Sequence, residues 1–469
     1  MLIACVCTAD KSNRDTPQTV NSILIRNVTL LTVTGTVQIL TGQSLYVEGG
    51  IIKDFGPAED IAKRYPTAEQ VFEGKHKLVI PGLINSHVHM SLQLARGSKP
   101  DKKSIDLPHN TWTMNYADAL TPEEEYYGNL IGYVEMIKSG TTCFGEAGTV
   151  HVDKQVEAMQ KVGIRGAVGK WMWDRPEVLR ISPEDASKEA ERIVRSYNGA
   201  NNGRIKGIVS IIGSGQCTDE LYVKAKDVAR KNSTILNAHA AIRPDTVARG
   251  DTIKHLDSLG VLDSATTLVH VMNIDPSDIQ ILRDRKTKVI HCPSSMMRVN
   301  RGATVKGKYP EISAQGIPMG LGTDGADVSD FKDMIRAMYL ASTLYKDSRM
   351  DASVMGAQEA FASATIVGAS VLGWEKEIGS LEKGKRADIA IIDMHRPEWQ
   401  PTIDLLNNLV YSTTGDSVET VIIDGEIIME NRKIKTVDED AIIDKVMEIT
   451  EPKKWKARFP WSWLDSKAT

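Results

Sequence analysis

The chain is poor in cysteine. Its five, Cys5, Cys7, Cys143, Cys217 and Cys292, are odd in number and scattered, which argues against a disulfide framework and fits a reduced cytosol. Cys5 and Cys7 have no second pair to complete a zinc knuckle. Long hydrophobic runs are missing too, none approaching the ~20 apolar residues of a membrane span. Met1-Leu2-Ile3-Ala4-Cys5 resembles a lipoprotein cleavage site, but neither a basic segment nor an apolar stretch of ~7–15 residues precedes it. A cytoplasmic protein is expected. Excess charge is also absent: 57 Lys and Arg against 61 Asp and Glu leave −4. That balance gives no electrostatic reason to expect nucleic acid or an anionic membrane as partner, and it suits a small neutral organic substrate. No strand candidate is followed by the glycine fingerprint of dinucleotide binding. Histidine is scarce, ten in 469 residues, so each can be placed individually.

What is there reads as globular: 41% hydrophobic and 25% charged. The length calls for two or three units, or for one large barrel with an accessory domain. Residues 1–21 are polar and irregular, an N-terminal arm. Short β-rich runs follow at Ile23–Val28, Leu30–Val33, Gln43–Val47 and Gly50–Phe55, with Gly49-Gly50 as a hairpin turn. Similar runs return at Ala387–Asp393 and Val418–Ile423, and Asp424-Gly425 marks a turn before Glu426–Met429. Residues 22–77 and 380–435 therefore read as one small β-domain built from both ends of the chain. Residues 436–469 form a C-terminal helix and tail, in which Trp455–Trp463 carries three of the eight tryptophans.

Between these ends, over residues 78–379, apolar runs alternate with amphipathic helices. Eight strand candidates can be counted: Leu78–Ile84, Thr141–Phe144, Ile164–Lys170, Ile205–Ile212, Thr234–His239, Thr267–His270, Lys288–His291 and Ile317–Gly322. Thr121-Pro122-Glu123-Glu124 opens a helix with a capping box and proline at its first position. Eight alternating units over this length predict an α/β fold of the (β/α)8 TIM-barrel type.

Histidines mark the ends of four of these strands. His87 and His89 follow the first, His239 ends the fifth, His270 the sixth and His291 the seventh, while Asp324 follows the eighth. In a barrel, the C-terminal strand ends converge on one mouth. His-x-His at strand period places two imidazoles on one face. A lone strand-end histidine is ordinarily a hydrogen-bonded structural residue, but five of ten histidines at successive strand ends point to a metal site. Imidazoles with a carboxylate suit one divalent ion, Zn foremost, with Co, Fe or Mn as alternatives. His76, His109, His151, His255 and His395 show no such placement.

The motifs Pro81-Gly82-Leu83-Ile84-Asn85-Ser86-His87-Val88-His89, Gly140-Thr141-Thr142, Val289-Ile290-His291-Cys292-Pro293-Ser294-Ser295 and Gly322-Thr323-Asp324-Gly325 resemble those of the amidohydrolase superfamily, in its triazine hydrolase and cyclic deaminase branch. Gly379-Ser380-Leu381-Glu382-Lys383-Gly384-Lys385-Arg386-Ala387-Asp388 is similar to the segment that re-enters the small β-domain of that family. The resemblance covers roughly Ile23 to Met429. It implies a barrel with a composite β-sandwich, His87, His89, His239 and Asp324 as metal ligands, and His270 facing the attacking water or substrate. It also implies hydrolysis by a metal-activated hydroxide, since a bound ion lowers the pKa of water from roughly 16 to about 7. Asp324 would then carry the proton to the leaving nitrogen, with Asp324 and His270 as the catalytic pair. Oligomers are common in the family, and a homo-oligomer is expected.

Two positions depart from the family pattern. Deaminases of this branch usually carry a glutamate three residues beyond the fifth-strand histidine, and this chain has Ile242; two residues before His239, where relatives often have another histidine, it has Asn237. The Asn-x-His form is associated with phenylurea hydrolases and molinate hydrolase. It therefore suggests cleavage of a C–N bond at an amide-like carbonyl: a phenylurea, carbamate, thiocarbamate or anilide of xenobiotic degradation. The alternative is a hydrolytic deaminase or dechlorinase of an N-heterocycle such as a triazine, purine or pterin. Lys170, ending the third strand, would bridge to a second metal if carboxylated, making His270 a ligand of that second ion, although the family's bridging lysine lies on the fourth strand. Glu146, ending the second strand, reads either as a carboxylate behind the site or as a helix cap. Trp112, Trp171, Trp173, His291, Met296 and Met297 are the candidates for the substrate pocket.

Overall fold

The computed structural model describes residues 21–98, 109–175, 181–213, 215–242, 252–451 and 455. The N-terminal arm lies almost wholly outside the described residues, as do Trp461 and Trp463 of the tail.

Strands from both ends of the chain build one nine-stranded sheet. Its order runs Lys433–Ile434, Glu426–Glu430, Val418–Ile423, Ile389–Asp393, Lys77–Pro81, Ser22–Thr34, Thr36–Glu48 and Ile51–Pro57, with Gln70–Glu73 also pairing Ser22–Thr34. The seam between the two ends is antiparallel, Pro81 opposite Ile389 and Lys77 opposite Asp393. Isoleucine, valine and leucine from both ends, among them Ile23, Val47, Val79, Ile389 and Ile422, bury into one core. The expected turns are present: Gly49 and Gly50 (φ 56° and 77°), and Asp424 and Gly425 (φ 55° and 76°), all left-handed as tight hairpins require. The two turns touch, since a Cβ on Gly50 would lie 2.6 Å from the Asp424 carbonyl oxygen.

The expected first barrel strand, Leu78–Ile84, is two strands. Lys77–Pro81 belongs to the β-domain, and Leu83–His89 opens the barrel. Gly82 joins them where a Cβ would lie 2.1 Å from Thr142 Oγ1, so only glycine lets the chain pass from one sheet to the other.

The barrel strands are parallel and follow in chain order: Leu83–His89, Thr141–Glu146, Arg165–Val168, Ile205–Gly213, Leu236–Ala240, Thr266–His270, Lys288–His291 and Met319–Gly325. Two of them are interrupted. The fourth breaks at Ile208, whose N–H donates to the Val168 carbonyl on one side while Val209 N–H donates to the Ile235 carbonyl on the other. The eighth breaks at Gly322 and Thr323, between Met319–Leu321, which pairs with the seventh strand, and Asp324–Gly325, which pairs with the first. These breaks divide the barrel into two five-membered arcs that close on each other. The helix Pro122–Lys138 starts as expected, with Thr121 and Glu124 forming a reciprocal capping box and Pro122 at its first position. No helix among the described residues is long and apolar enough to cross a membrane, and Cys143, Cys217 and Cys292 are buried and in no disulfide.

Barrel and β-domain are pinned by a buried ion pair. Arg165, opening the third barrel strand, donates from Nε to Asp388 Oδ2 (2.8 Å) and from Nη2 to Oδ1 (3.0 Å), and both side chains are 1% exposed. Asp388 Oδ1 also accepts from the Asp424 backbone N–H at 2.8 Å. Removing one member leaves the other charged and unpaired in the interior. Arg165→Met is expected to lower unfolding stability by about 3–5 kcal/mol in denaturant titration.

Candidate metal centre

The strand-end residues converge as the barrel geometry requires. His87 and His89 leave the first strand on one face, His239 leaves the fifth, His270 the sixth and Asp324 the eighth, all at most 5% exposed. Asp324 Oδ1 lies 3.7 Å from His87 Nε2 and 3.6 Å from His89 Nε2, and its Oδ2 lies 3.6 Å from His270 Nε2. His89 Nε2 and His239 Nε2 are 3.2 Å apart, their rings stacked within 5° of parallel. Donor atoms of His87, His239 and His270, and of His87, His89 and Asp324, lie within 4.8 Å of one another, close enough to share an ion.

Protonation and tautomer suit that use. His239 Nδ1–H donates to the Ile212 carbonyl at 2.8 Å, which turns its Nε2 lone pair toward the cluster. Burial, reinforced by neighbouring imidazoles, holds His89 and His239 well below the ordinary histidine range, and burial lowers His270 to about 3. Burial opposes ionisation of Asp324, but the surrounding imidazoles of His87, His270 and His89 outweigh it and keep the carboxyl well below its usual range. Neutral imidazoles beside a carboxylate are the metal-binding forms. Both nitrogens of His87 are enclosed and have no hydrogen-bond partner among the described residues, as a ring poised for an ion would be.

The surrounding backbone is strained where the clustered side chains emerge. Ala241, His270, Val271 and Asp324 all have left-handed φ, between 46° and 72°, a conformation that costs such residues of order 1–3 kcal/mol each. Bonds between neighbouring loops hold it. Val271 N–H donates to the Ala240 carbonyl (3.1 Å), Asn273 N–H to the Ala241 carbonyl (2.8 Å) and Asn273 Nδ2 to the Ile242 carbonyl (2.6 Å). The Tyr309 hydroxyl donates to the His270 carbonyl at 2.7 Å. Fully buried Lys332 donates through Nζ to the Asp324 carbonyl, and burial lowers its pKa to about 8.

Above the cluster opens a cleft of about 790 Å³ with the open space at its mouth included. One wall is apolar: Ile242 packs with Met272, Met296, Val299 and Val328. Trp171 and Trp173 form another, meeting edge to face at 5.3 Å. Thr113, Gln216, Arg301 and Asp327 supply its polar lining.

Of the expected pocket residues, Trp171, Trp173 and Met296 line the cleft. Met297 does not, and the side chain of Trp112 lies outside the described residues. His291 lies behind the cleft, stacked on Tyr309 at 3.7 Å with its Nε2 3.2 Å from the Tyr345 hydroxyl, so it supports the loop holding His270 and does not face a substrate. Lys170 is not brought to the cluster: its ammonium donates to the Val150 carbonyl at 2.5 Å. Glu146 bonds the first N–H of the short helix Met90–Ala95, which follows His89. Its Oε2 accepts from Met90 N–H (3.2 Å) and Gln155 Nε2 (2.6 Å), steadying the chain just after His89, and burial pushes its carboxyl well above the usual range. His76 and His395 stack on each other, His151 bonds the Leu120 carbonyl and His255 bonds Asp219, all away from the cluster. Thr113, Gln216, Arg301, Asp327 and Lys332 were missed because, unlike a strand-end histidine, no pattern marks an isolated polar residue in a loop or short helix. Lys170→Ala is expected to leave the metal content of purified protein unchanged, measured by elemental analysis; loss of half or more of the ion would restore a bridging role.

Residues 78–428 match the family model described as the amidohydrolase family. Among characterised relatives, a 5-methylthioadenosine/S-adenosylhomocysteine deaminase of Caldanaerobacter subterraneus is 32% identical over 432 residues, covering 91% of this chain and 97% of its own. An adenosine deaminase of Xanthomonas campestris, solved with bound zinc, superposes with a TM-score of 0.85 at 24% identity over 93% of this chain and 98% of its own. The zinc complex of an atrazine chlorohydrolase from Arthrobacter aurescens superposes with a TM-score of 0.83 at 18% identity over 91% of this chain and 99% of its own. With the family's strand-end residues gathered at the barrel mouth and its sequence pattern running through the whole barrel, the chain belongs to the amidohydrolase family.

Proposed function

We propose that this protein is a metal-dependent hydrolase that deaminates a neutral N-heterocyclic amine of the purine nucleoside type. The observation that carries the chemistry is the Asp324 carboxylate facing three imidazole nitrogens at 3.6–3.7 Å beneath a largely apolar cleft. Likeness to a nucleoside deaminase over nine-tenths of the chain favours this substrate class over the phenylurea, carbamate and anilide reading. The zinc in the superposable structures supports zinc as the ion.

His87, His89, His239 and Asp324 would hold the ion, which supplies the positive charge that makes water a nucleophile at neutral pH. Water adds its oxygen to the ring carbon bearing the amino group. Asp324 accepts one proton of the water and delivers it to the ring nitrogen, then takes the second from the new hydroxyl and delivers it to the departing nitrogen, so that ammonia leaves and a ring lactam remains. His270, with Nε2 3.6 Å from Asp324 Oδ2, orients the attacking water. Ile242 cannot carry a proton, so both transfers fall to Asp324.

Ammonia release from a panel of 5′-methylthioadenosine, S-adenosylhomocysteine and adenosine tests the reading. Turnover of at least one is expected, with no aniline from a phenylurea; the opposite pattern would return the substrate to the amide-like class. Asp324→Asn is expected to reduce turnover at least about a hundredfold, the scale of a lost general base. His89→Ala is expected to lose bound metal as well, measured on the same preparation; full metal content in that variant would remove His89 from the ligand set.

A further inference from the structure

Lys332 is fully buried beside the cluster and has no use in the reaction described above. A cation in the interior ordinarily sits against a carboxylate, because an unpaired buried charge strongly opposes folding. Among the described residues no carboxylate forms an ion pair with Lys332. Its ammonium has three hydrogens to donate, and its one bond to the described protein goes to the backbone carbonyl oxygen of Asp324. A charge kept at such a cost, on a contact of that kind, calls for a reason outside stability.

The backbone that carries this ammonium is anchored on both sides. Lys332 N–H donates to Glu135 Oε1 at 2.8 Å, on the helix Pro122–Lys138. The next residue, Asp333, accepts from Gly415 N–H at 3.0 Å and caps the helix Met334–Arg349, accepting from Ile335 N–H at 2.8 Å. Before it, Ser329 Oγ donates to the Gly325 carbonyl at 3.0 Å, tightening the turn between Asp324 and Lys332. The side chain is thus a strut from a fixed base to Asp324.

What the strut holds is one peptide plane. The carbonyl oxygen of Asp324 and the N–H of Gly325 belong to the same rigid unit, point to opposite sides of it and turn together. That N–H donates to Asp324 Oδ1 at 2.7 Å. Oδ1 is the oxygen that lies 3.7 Å from His87 Nε2 and 3.6 Å from His89 Nε2. The residue between them has φ 67°, a conformation that a side chain disfavours and that needs holding.

We propose that Lys332 is a positioning residue for the proton-carrying carboxylate: gripping the oxygen of the Asp324–Gly325 peptide sets that plane, and the plane's N–H sets Asp324 Oδ1 opposite His87 and His89. This rests on the reading of Asp324 as the proton carrier of a deaminase. Function and stability are opposed at this position, so the lysine is kept for the first at the expense of the second.

Two substitutions separate these roles. Lys332→Met keeps the length of the side chain and removes both charge and donor. It is expected to lower kcat about tenfold or more, the scale of one hydrogen bond to a charged group, with KM within about twofold of wild type. Its thermal midpoint is expected not to fall, because the buried charge is gone. Lys332→Arg returns a charged donor on a bulkier side chain. It is expected to keep kcat within about fivefold of wild type and to lower the midpoint by overpacking. A merely structural lysine would make activity follow stability. The visible absorption of cobalt-loaded protein reports the carboxylate's placement without a substrate, and is expected to change in Lys332→Met and to be retained in Lys332→Arg. Wild-type kcat and cobalt bands in Lys332→Met, or a lowered midpoint in that variant, would overturn the proposal, whether or not the bulkier variant folds. Cobalt bands that depend on Lys332, in an enzyme that releases no ammonia from any nucleoside, would leave the positioning role standing and remove the deaminase reading.

Discussion

The cleft depends on the seam between the first and eighth barrel strands. His87 and His89 come from one side of it and Asp324 from the other, and the eighth strand breaks just before Asp324 to reach its partner. Asn85 spans the break with two bonds, Nδ2 donating to Thr323 Oγ1 at 2.7 Å and Oδ1 accepting from Thr323 N–H at 3.0 Å. Gly322 makes room, since a Cβ there would lie 2.7 Å from that of His87. Lys332 then holds the carbonyl of Asp324 in its left-handed turn. Without these contacts the carboxylate would not stand opposite three imidazoles. A rigid, mostly satisfied scaffold supports a cluster of imidazoles and a carboxylate whose own hydrogen-bonding capacity is largely unused within the described residues.

Much of this was legible in the sequence because it rests on period and punctuation. Strand alternation, the capping box at Thr121 and the turns at Gly49-Gly50 and Asp424-Gly425 each follow from local stereochemistry, and each is present. Gathering His87, His89, His239, His270 and Asp324 needed only the rule that parallel strands in a barrel end on one face. The boundary between the two domains was not legible, since Lys77–Pro81 and Leu83–His89 form one apolar run and only Gly82, crowded by Thr142, reveals the crossing. His291 shows the reverse limit. It obeys the same strand-end rule as the clustered residues, yet Tyr309 and Tyr345 take up its ring.

Ile242 is where sequence reasoning leaned toward amide-like substrates, whereas likeness to relatives favours the alternative, a heterocycle deaminase. In place of a proton carrier the structure has an apolar wall continuous with Met272, Met296, Val299 and Val328. A wall of that kind excludes water and strengthens the remaining polar interactions in the cleft. The same residue that removes a catalytic carboxylate thus raises the worth of each hydrogen bond that Asp324 and His270 make, and a metal-dependent hydrolase of C–N bonds can work with fewer charged groups around its substrate.

The two hairpin turns that meet at Gly50 and Asp424 belong to opposite ends of the chain. Their contact, with the pairing of Lys77–Pro81 against Ile389–Asp393, closes a loop of about 300 residues. The first strands pair with one another, but the β-domain cannot be completed during synthesis until the barrel has been made, because the edge of Lys77–Pro81 must wait for Ile389–Asp393. Until then the core that Ile23, Val47 and Val79 share with Ile389 and Ile422 is incomplete, and the Lys77–Pro81 edge is unpaired. In a growing chain, the vulnerable interval falls on the accessory domain and not on the barrel that carries the chemistry.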